Sequence, residues 1–143
     1  KNNNVAYVLG RLFSVLESIQ EAANPGINST IKDKYFNSAS ATPRTIFSIL
    51  HKLSIYHLRT IKRDRPGLAI YFEKEICMLL SKIGGVVSSE TKTLTSNEMG
   101  MLLNKINLSK NPIPQHLSLD GQSTFILGYY LQTQLRYNKK EEK

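Results

Sequence analysis

The sequence has little of several residue types that would by themselves indicate a function. It has one cysteine, Cys77, in 143 residues, which excludes an internal disulfide and any zinc site built on cysteines. No apolar run approaches the roughly 20 residues that cross a bilayer, and the first residues do not resemble a signal peptide. We therefore expect a soluble protein of the reducing cytoplasm, with no membrane among its partners.

The residue patterns that carry catalysis are also missing. The three histidines, His51, His57 and His116, lack the spacing of a metal-binding pair on a helix, and no glycine-rich phosphate loop occurs. Glu73 and Glu75 are two positions apart and cannot share one face of a helix, which argues against an acid–base pair. We therefore predict that the protein is not an enzyme and has no metal site and no cofactor.

The sequence does have helical periodicity over most of its length. Apolar residues recur at steps of three and four, and proline and glycine separate the periodic segments. The small residues over 37–41 interrupt one of these segments. We predict helices at 4–24, from 29 or 30 to about 36, and at 43–64, 68–83, 97–107 and 118–137, with a loop at 84–96 and a charged flexible tail at 138–143. The fold class is all-α, a helical bundle of about five to six helices in a single domain over 1–143.

Positive charge is concentrated in one of these helices. The chain has 19 lysine and arginine residues against 11 acidic ones, a formal net charge of +8. Residues 44–65 hold six basic residues and one acidic residue, a net charge of +5. An excess of this sign indicates a polyanion or an acidic partner.

The basic residues of this helix share one side. At about 100° per residue, five of them fall within an arc of about 100° without an interleaved acid. These five are Arg44, Lys52, Arg59, Lys62 and Arg63. The opposite side is predicted to face the core through Ile46, Ile49, Leu50, Leu53, His57 and Ile61. Ile55 interrupts the basic stripe, as a surface residue or as a contact. Solvated helices generally mix charge signs, so the pattern predicts a face that binds a polyanion.

Two further groups of residues are weaker candidates for nucleic-acid contacts. Lys32 and Lys34 lie beside the serine- and alanine-rich turn, where a backbone can approach closely, and Lys74 lies on the following helix. Some of the seven tyrosines could form a surface on which bases stack. Aromatic residues at helical spacing more often pack in a core, however, so the sequence does not assign a stacking role to any one of them. The tyrosines are Tyr7, Tyr35, Tyr56, Tyr71, Tyr129, Tyr130 and Tyr137.

Two parts of the sequence carry a family resemblance. The first has AYVLGRLF at 6–13, IQEAA at 19–23 and IKDKYFNSASATP at 31–43; the second has PQHLSLDGQ at 114–122 and FILGYY at 125–130. These strings resemble the C-terminal helical domain of the large subunit of type I-C CRISPR surveillance complexes (Cascade). In that family the domain is also made separately, by internal translation initiation, as the small subunit of the complex. A chain of this length resembles that small subunit.

The resemblance implies a function and a set of partners. Small subunits of this kind are not catalytic; they steady the R-loop through backbone contacts, because guide–target base pairing reads the sequence. The implied partners are guide RNA and target DNA, the non-target DNA strand, the backbone and large subunits of Cascade, and further copies of the chain. One alternative is a scaffold subunit whose basic helix docks an acidic surface of another subunit. A basic amphipathic helix on an anionic membrane is disfavoured, because a bundle should cover its apolar side.

Overall fold

The computed structural model describes residues 2–26, 31–83 and 113–142, with side chains over 5–26, 31–83 and 113–135. It contains five helices: α1 (Asn2–Ala23), α2 (Ile31–Ala41), α3 (Pro43–Asp64), α4 (Pro66–Ile83) and α5 (Leu119–Glu142). Within the described ranges there is no strand, which confirms the predicted all-α bundle. The helix predicted at 97–107 and the loop predicted at 84–96 lie outside these ranges. The single domain over 1–143 stays a prediction.

The first helix, α1, lies at the centre of the bundle and contacts each of the other four. Most of its apolar residues are buried, and Ser14, Glu17 and Gln20 are buried as well. Because buried polar groups are costly without hydrogen bonds, these side chains need partners inside the bundle. The Tyr129 hydroxyl donates to Glu17 at 2.5 Å, and the amide of Ile31 donates to Gln20 Oε1 at 2.8 Å.

Two glycines allow α1 and α5 to cross at very close range. A Cβ atom placed on Gly10 would lie within 2.8 Å of the Phe125 carbonyl carbon and 2.9 Å of the Tyr129 amide nitrogen. A Cβ atom on Gly128 would meet the backbone of Tyr7 in the same way. Because glycine has no side chain, the two backbones can touch directly at these positions.

Aromatic rings fill the centre of the core around Phe13 of α1. Its ring makes edge-on contacts at centroid distances of 5.4–6.4 Å with rings from α2, α3 and α5, an arrangement that the ring quadrupoles favour. The partners of Phe13 are Phe36, Phe47, Phe125 and Tyr129. One cluster therefore joins four of the five helices.

The predicted break at 37–41 is wrong, because α2 continues through Ala41. Ala39 and Ser40 are buried against neighbouring helices, and the Ser40 hydroxyl donates to the carbonyl of Asn37 at 2.9 Å. The asparagine and serines of this segment have modest helix propensity, but its two alanines have the highest of any residue. The small side chains also suit close packing, and packing stabilises this last turn. Pro43 opens α3 as predicted, whereas the Thr42 hydroxyl bonds to the last turn of α2 instead of capping α3.

The remaining helix ends agree with the sequence to within a few residues. The third helix ends at Asp64 as predicted, and α4 begins at Pro66, two residues before the predicted start. Ser118 caps α5, since its hydroxyl oxygen accepts from the amide of Gly121 at 3.1 Å. The last helix continues to Glu142, beyond the end predicted near residue 137, and the flexibility expected of 138–143 stays a prediction.

Candidate nucleic-acid interface

The side of α3 that faces the core overlaps the predicted side only in part. Leu50 and Ile61 are buried as predicted, and Ile46 and Leu53 are partly buried against the core. The observed buried side is turned by about 80° relative to the predicted one. Ile49, predicted to be in the core, is 43% exposed, whereas Phe47 is completely buried. The buried residues of α3 are Pro43, Phe47, Leu50, Ser54, Leu58 and Ile61. Apolar residues occupy a wide arc of this helix, and its contacts with α1, α2 and α4 determine which part is covered.

This rotation also decides the position of Ile55. Ile55 and His51 line a small pocket together with Leu12 and Leu80 of the neighbouring helices. Ile55 is therefore a contact residue rather than part of an open basic stripe. His57 is partly buried, and desolvation lowers its pKa below the usual histidine value.

Arg44, at the start of the predicted stripe, contacts the chain segment that leads into α5. Its Nε donates to the carbonyl of Ile113 at 2.8 Å, and its amide donates to the carbonyl of Pro114 at 3.1 Å. These bonds satisfy donors at the N-terminus of α3 and attach residues 113 and 114 to it. The amide of Leu117 donates to the carbonyl of Ala41 at 3.1 Å and attaches the same segment to the end of α2. The Arg44 guanidinium thus has a structural role within the chain.

Lys62 pairs with a buried carboxylate. Its Nζ lies 3.2 Å from Glu73 Oε2 on α4, and the Glu73 side chain is 3% exposed against 38% for Lys62. A buried carboxylate needs a nearby cation. The positive charge of Lys62 therefore neutralises Glu73 and is not available to neutralise a ligand. Arg65, just after α3, is also engaged, because its Nη2 donates to the carbonyl of Ala22 at 2.7 Å.

Three cations of the predicted stripe remain directed to solvent. Lys52, Arg59 and Arg63 are all exposed, and their positions place them on the side of α3 opposite the observed core. The single ion pair among them joins Arg63 Nε to Asp64 Oδ1 at 3.8 Å, with both side chains more than two-thirds exposed. Such a pair contributes little and is easily replaced. These three residues are called the α3 cationic face below.

The weaker lysine candidates lie on other helices. Lys34 of α2 and Lys74 of α4 are exposed. Lys32 is partly buried, and its Nζ lies 5.2 Å from the ring centroids of both Tyr129 and Tyr130. Lys32 is therefore held by aromatic rings of α5, apart from the α3 cationic face.

Sequence reasoning did not single out Tyr56, which belongs to the same surface. Its side chain is 64% exposed, and it lies between Lys52 and Arg59 on the exposed side of α3. The signal in the sequence is the spacing, four residues after Lys52 and three before Arg59, which places the three side chains on one side of the helix. That signal depends on knowing which side of α3 faces water.

Other candidates for reactive or metal-binding groups in the described ranges are the cysteine and the histidine and acidic side chains. Cys77 is buried, and burial, followed by the charge of Glu73, raises the pKa of its thiol to about 11. Within the described ranges, no three histidine, cysteine or acidic residues are grouped as metal ligands would be. No helix in the described part of the chain combines the length and apolarity needed to cross a membrane.

The fold and the α3 cationic face define a basic, all-α protein with one concentrated patch of positive charge. The model of the family described as CRISPR-associated protein (Cas_Csd1) matches residues 1–95, about two-thirds of the chain, and the protein belongs to this family. The matched region contains α1 to α4 and therefore the whole α3 cationic face. A comparison with functionally curated proteins found no match.

Proposed function

We propose that this CRISPR-associated protein is the non-catalytic small subunit of a type I-C surveillance complex. In this role it binds the nucleic-acid backbone through the α3 cationic face, steadies the R-loop and helps to assemble the complex. Family membership supports work within a Cas complex. The resemblance of the sequence to the type I-C helical domain supports the narrower assignment.

The observation that carries the proposal is the composition of the exposed side of α3. Lys52, Arg59 and Arg63 are exposed there, and Asp64 is the only acidic residue of the helix. With a rise of 1.5 Å per residue, Lys52 and Arg63 are separated by about 16 Å along the axis, enough to follow several phosphates of one strand. Such contacts release counterions whatever the base sequence, which suits a subunit that leaves sequence reading to the guide.

The number of available cations sets the expected salt dependence. Five phosphate contacts, as the sequence pattern alone suggests, would give a log–log slope near −4. Arg44 and Lys62 have partners within the chain, so three contacts are expected, with a slope of about −2 to −3. The affinity should then fall roughly 20- to 40-fold between about 50 and 200 mM salt.

The proposal is tested by removing the three charges and measuring binding of the full chain to a labelled single strand at several salt concentrations. The variant K52Q/R59Q/R63Q should lose most of its affinity for the strand. The magnitude of its log–log salt slope should decrease by about 2 to 3, towards zero. A matched control, K34Q/K74Q/K82Q, removes the same charge from exposed positions on α2 and α4. Equal losses in the two variants would contradict the α3 assignment, because binding would then depend on bulk charge or on the weaker candidates Lys34 and Lys74.

The same variants separate the proposal from the scaffold alternative. A scaffold subunit requires the α3 cationic face for co-purification with the other complex subunits even when the isolated chain does not bind nucleic acid. Loss of co-purification in K52Q/R59Q/R63Q, with no nucleic-acid binding by the unmodified chain, would favour an acidic protein partner. Binding of the unmodified chain that disappears in this variant supports the proposed function.

A further inference from the structure

The exposure of Tyr56 is unusual among the aromatic residues that the structure describes. Most described aromatic rings pack in the core or against it, and Tyr56 is more exposed than any other aromatic side chain in the described ranges. Its ring contact is with the adjacent His57, at a centroid distance of 5.8 Å. Tyr130, the next most exposed, accepts a hydrogen bond from Lys32 at 3.4 Å. Tyr56 thus presents much of its ring to solvent.

The charges around Tyr56 all have the same sign. Lys52 precedes it by four residues and Arg59 follows it by three, so both are its neighbours on the helix surface, where Cβ atoms are about 5–6 Å apart. Arg63 lies one further turn along the same side. A single exposed tyrosine on a protein surface is ordinary. A tyrosine with exposed cations before and after it on the same side of a helix is the combination that proteins use on single-stranded nucleic acids.

We propose that Tyr56 is a base-stacking platform and that the α3 cationic face prefers single-stranded nucleic acid. An unpaired base stacks on the Tyr56 ring while Lys52, Arg59 and Arg63 contact the phosphates on either side of it. Bases in a duplex are already paired and stacked, so a duplex can use the cations but not the ring. The phosphate half of this arrangement rests on the proposed function, and the stacking half is independent of the identity of the complex.

The absence of tryptophan from the sequence allows a direct test. In the variant Tyr56→Trp the new indole is the sole tryptophan, and its fluorescence should be quenched when a single-stranded oligonucleotide binds. The control variant Leu119→Trp places the indole at an 82% exposed position beside Asp120, on α5 and not on the helix that carries the α3 cationic face. Its fluorescence should change little. Equal quenching at both positions, or none at Tyr56→Trp while binding is measured independently, would overturn the stacking proposal.

Affinities of the full chain provide a second test. Tyr56→Leu should weaken binding of a single strand by about 5- to 150-fold, the range that corresponds to removal of one stacking aromatic, while Tyr56→Phe should retain it. Binding of a duplex, and of an abasic strand that keeps the phosphates, should be the same in Tyr56→Leu and the unmodified chain. If Tyr56→Leu binds the single strand as tightly as the unmodified chain does, Tyr56 does not stack.

The two proposals fail in different ways. If Tyr56→Leu is without effect but K52Q/R59Q/R63Q still loses affinity, the stacking proposal is wrong and the phosphate-binding face stands. If K52Q/R59Q/R63Q binds as tightly as the unmodified chain, the face itself is wrong. DNA and RNA single strands of the same sequence are compared, because both carry unpaired bases and phosphates. The strand with the larger loss in Tyr56→Leu is the one that the platform prefers.

Discussion

The close crossing of α1 and α5 makes a prediction in which two physical effects have opposite signs. Replacing Gly10 by alanine in the middle of a helix should stabilise it by about 1 kcal/mol through intrinsic propensity. At this position, however, the new Cβ would lie 2.8 Å from the Phe125 carbonyl carbon and nearer still to its oxygen. Because the obstacle is helix backbone and not the end of a flexible side chain, α5 itself must move.

The structure gives the size of the penalty. Relieving the overlap requires the two helices to separate by about 1 Å, and a gap of that size removes up to half of the dispersion energy of each contact. Overpacking of this kind costs about 1–3 kcal/mol. The separation also stretches the hydrogen bonds from Tyr129 to Glu17 and from Arg11 to Gln132, each contributing about 1 kcal/mol. After subtracting the propensity gain, we expect Gly10→Ala to lower the free energy of unfolding by about 2–4 kcal/mol.

Urea unfolding followed by far-ultraviolet circular dichroism measures this loss. Gly67→Ala is the matched control, because a Cβ at Gly67 meets no atom within 4 Å and its helix should be unchanged or slightly stabilised. Gly128→Ala should destabilise as Gly10→Ala does, and the double variant should lose less than the sum of the two, since both open the same crossing. The reasoning is refuted if Gly10→Ala unfolds within about 0.5 kcal/mol of the unmodified chain.

Two further predictions concern Glu73 and Cys77, which are both buried on α4. Lys62→Met should lower the free energy of unfolding by about 2 kcal/mol. The loss is smaller than for a fully buried pair because Lys62 is 38% exposed. Adding Glu73→Gln should restore part of the lost stability, because the unpaired carboxylate is then neutral. Lys52→Met, at an exposed position, is the control, and equal effects of the two changes on urea unfolding would contradict the pairing argument. The Cys77 thiol, with its pKa raised to about 11, should be almost entirely protonated near pH 8 and react with a thiol reagent only after unfolding; reaction of the folded protein at the rate of a small thiol would show that it is accessible.

Much of the fold could be predicted because helix formation depends on nearby residues. The recurrence of apolar residues and the proline and glycine breaks located the five helices of the described ranges, and α3 ends at Asp64, close to where the sequence predicted. The error at 37–41 has a tertiary cause. A run of small residues predicts an interruption of the helix. Ala39 and Ser40 are buried in the bundle, however, and that packing stabilises the last turn of α2.

The candidate site was predicted in part. The sequence located the excess positive charge on α3 and placed Lys52, Arg59 and Arg63 on one side of it. It did not indicate that Lys62 faces the buried Glu73 or that Arg44 bonds to residues 113 and 114, since these partners are distant in the sequence. Without the observed rotation of the helix, Ile49 and Tyr56 could not be recognised as exposed.

The sequence alone determined that this is a basic all-α protein with most of its excess charge in one helix. The shortage of acids gave the charge, and the helical spacing of the apolar residues gave the fold class. These properties follow from composition and from helical hydrogen bonds between residues four apart. Both depend only on nearby sequence and not on how the helices pack. Only the tertiary structure decided which side of α3 meets water and which of its cations compensate groups inside the protein. The physical reason is that α3 is apolar over a wide arc, and contacts with α1, α2 and α4 determine which part of that arc is buried.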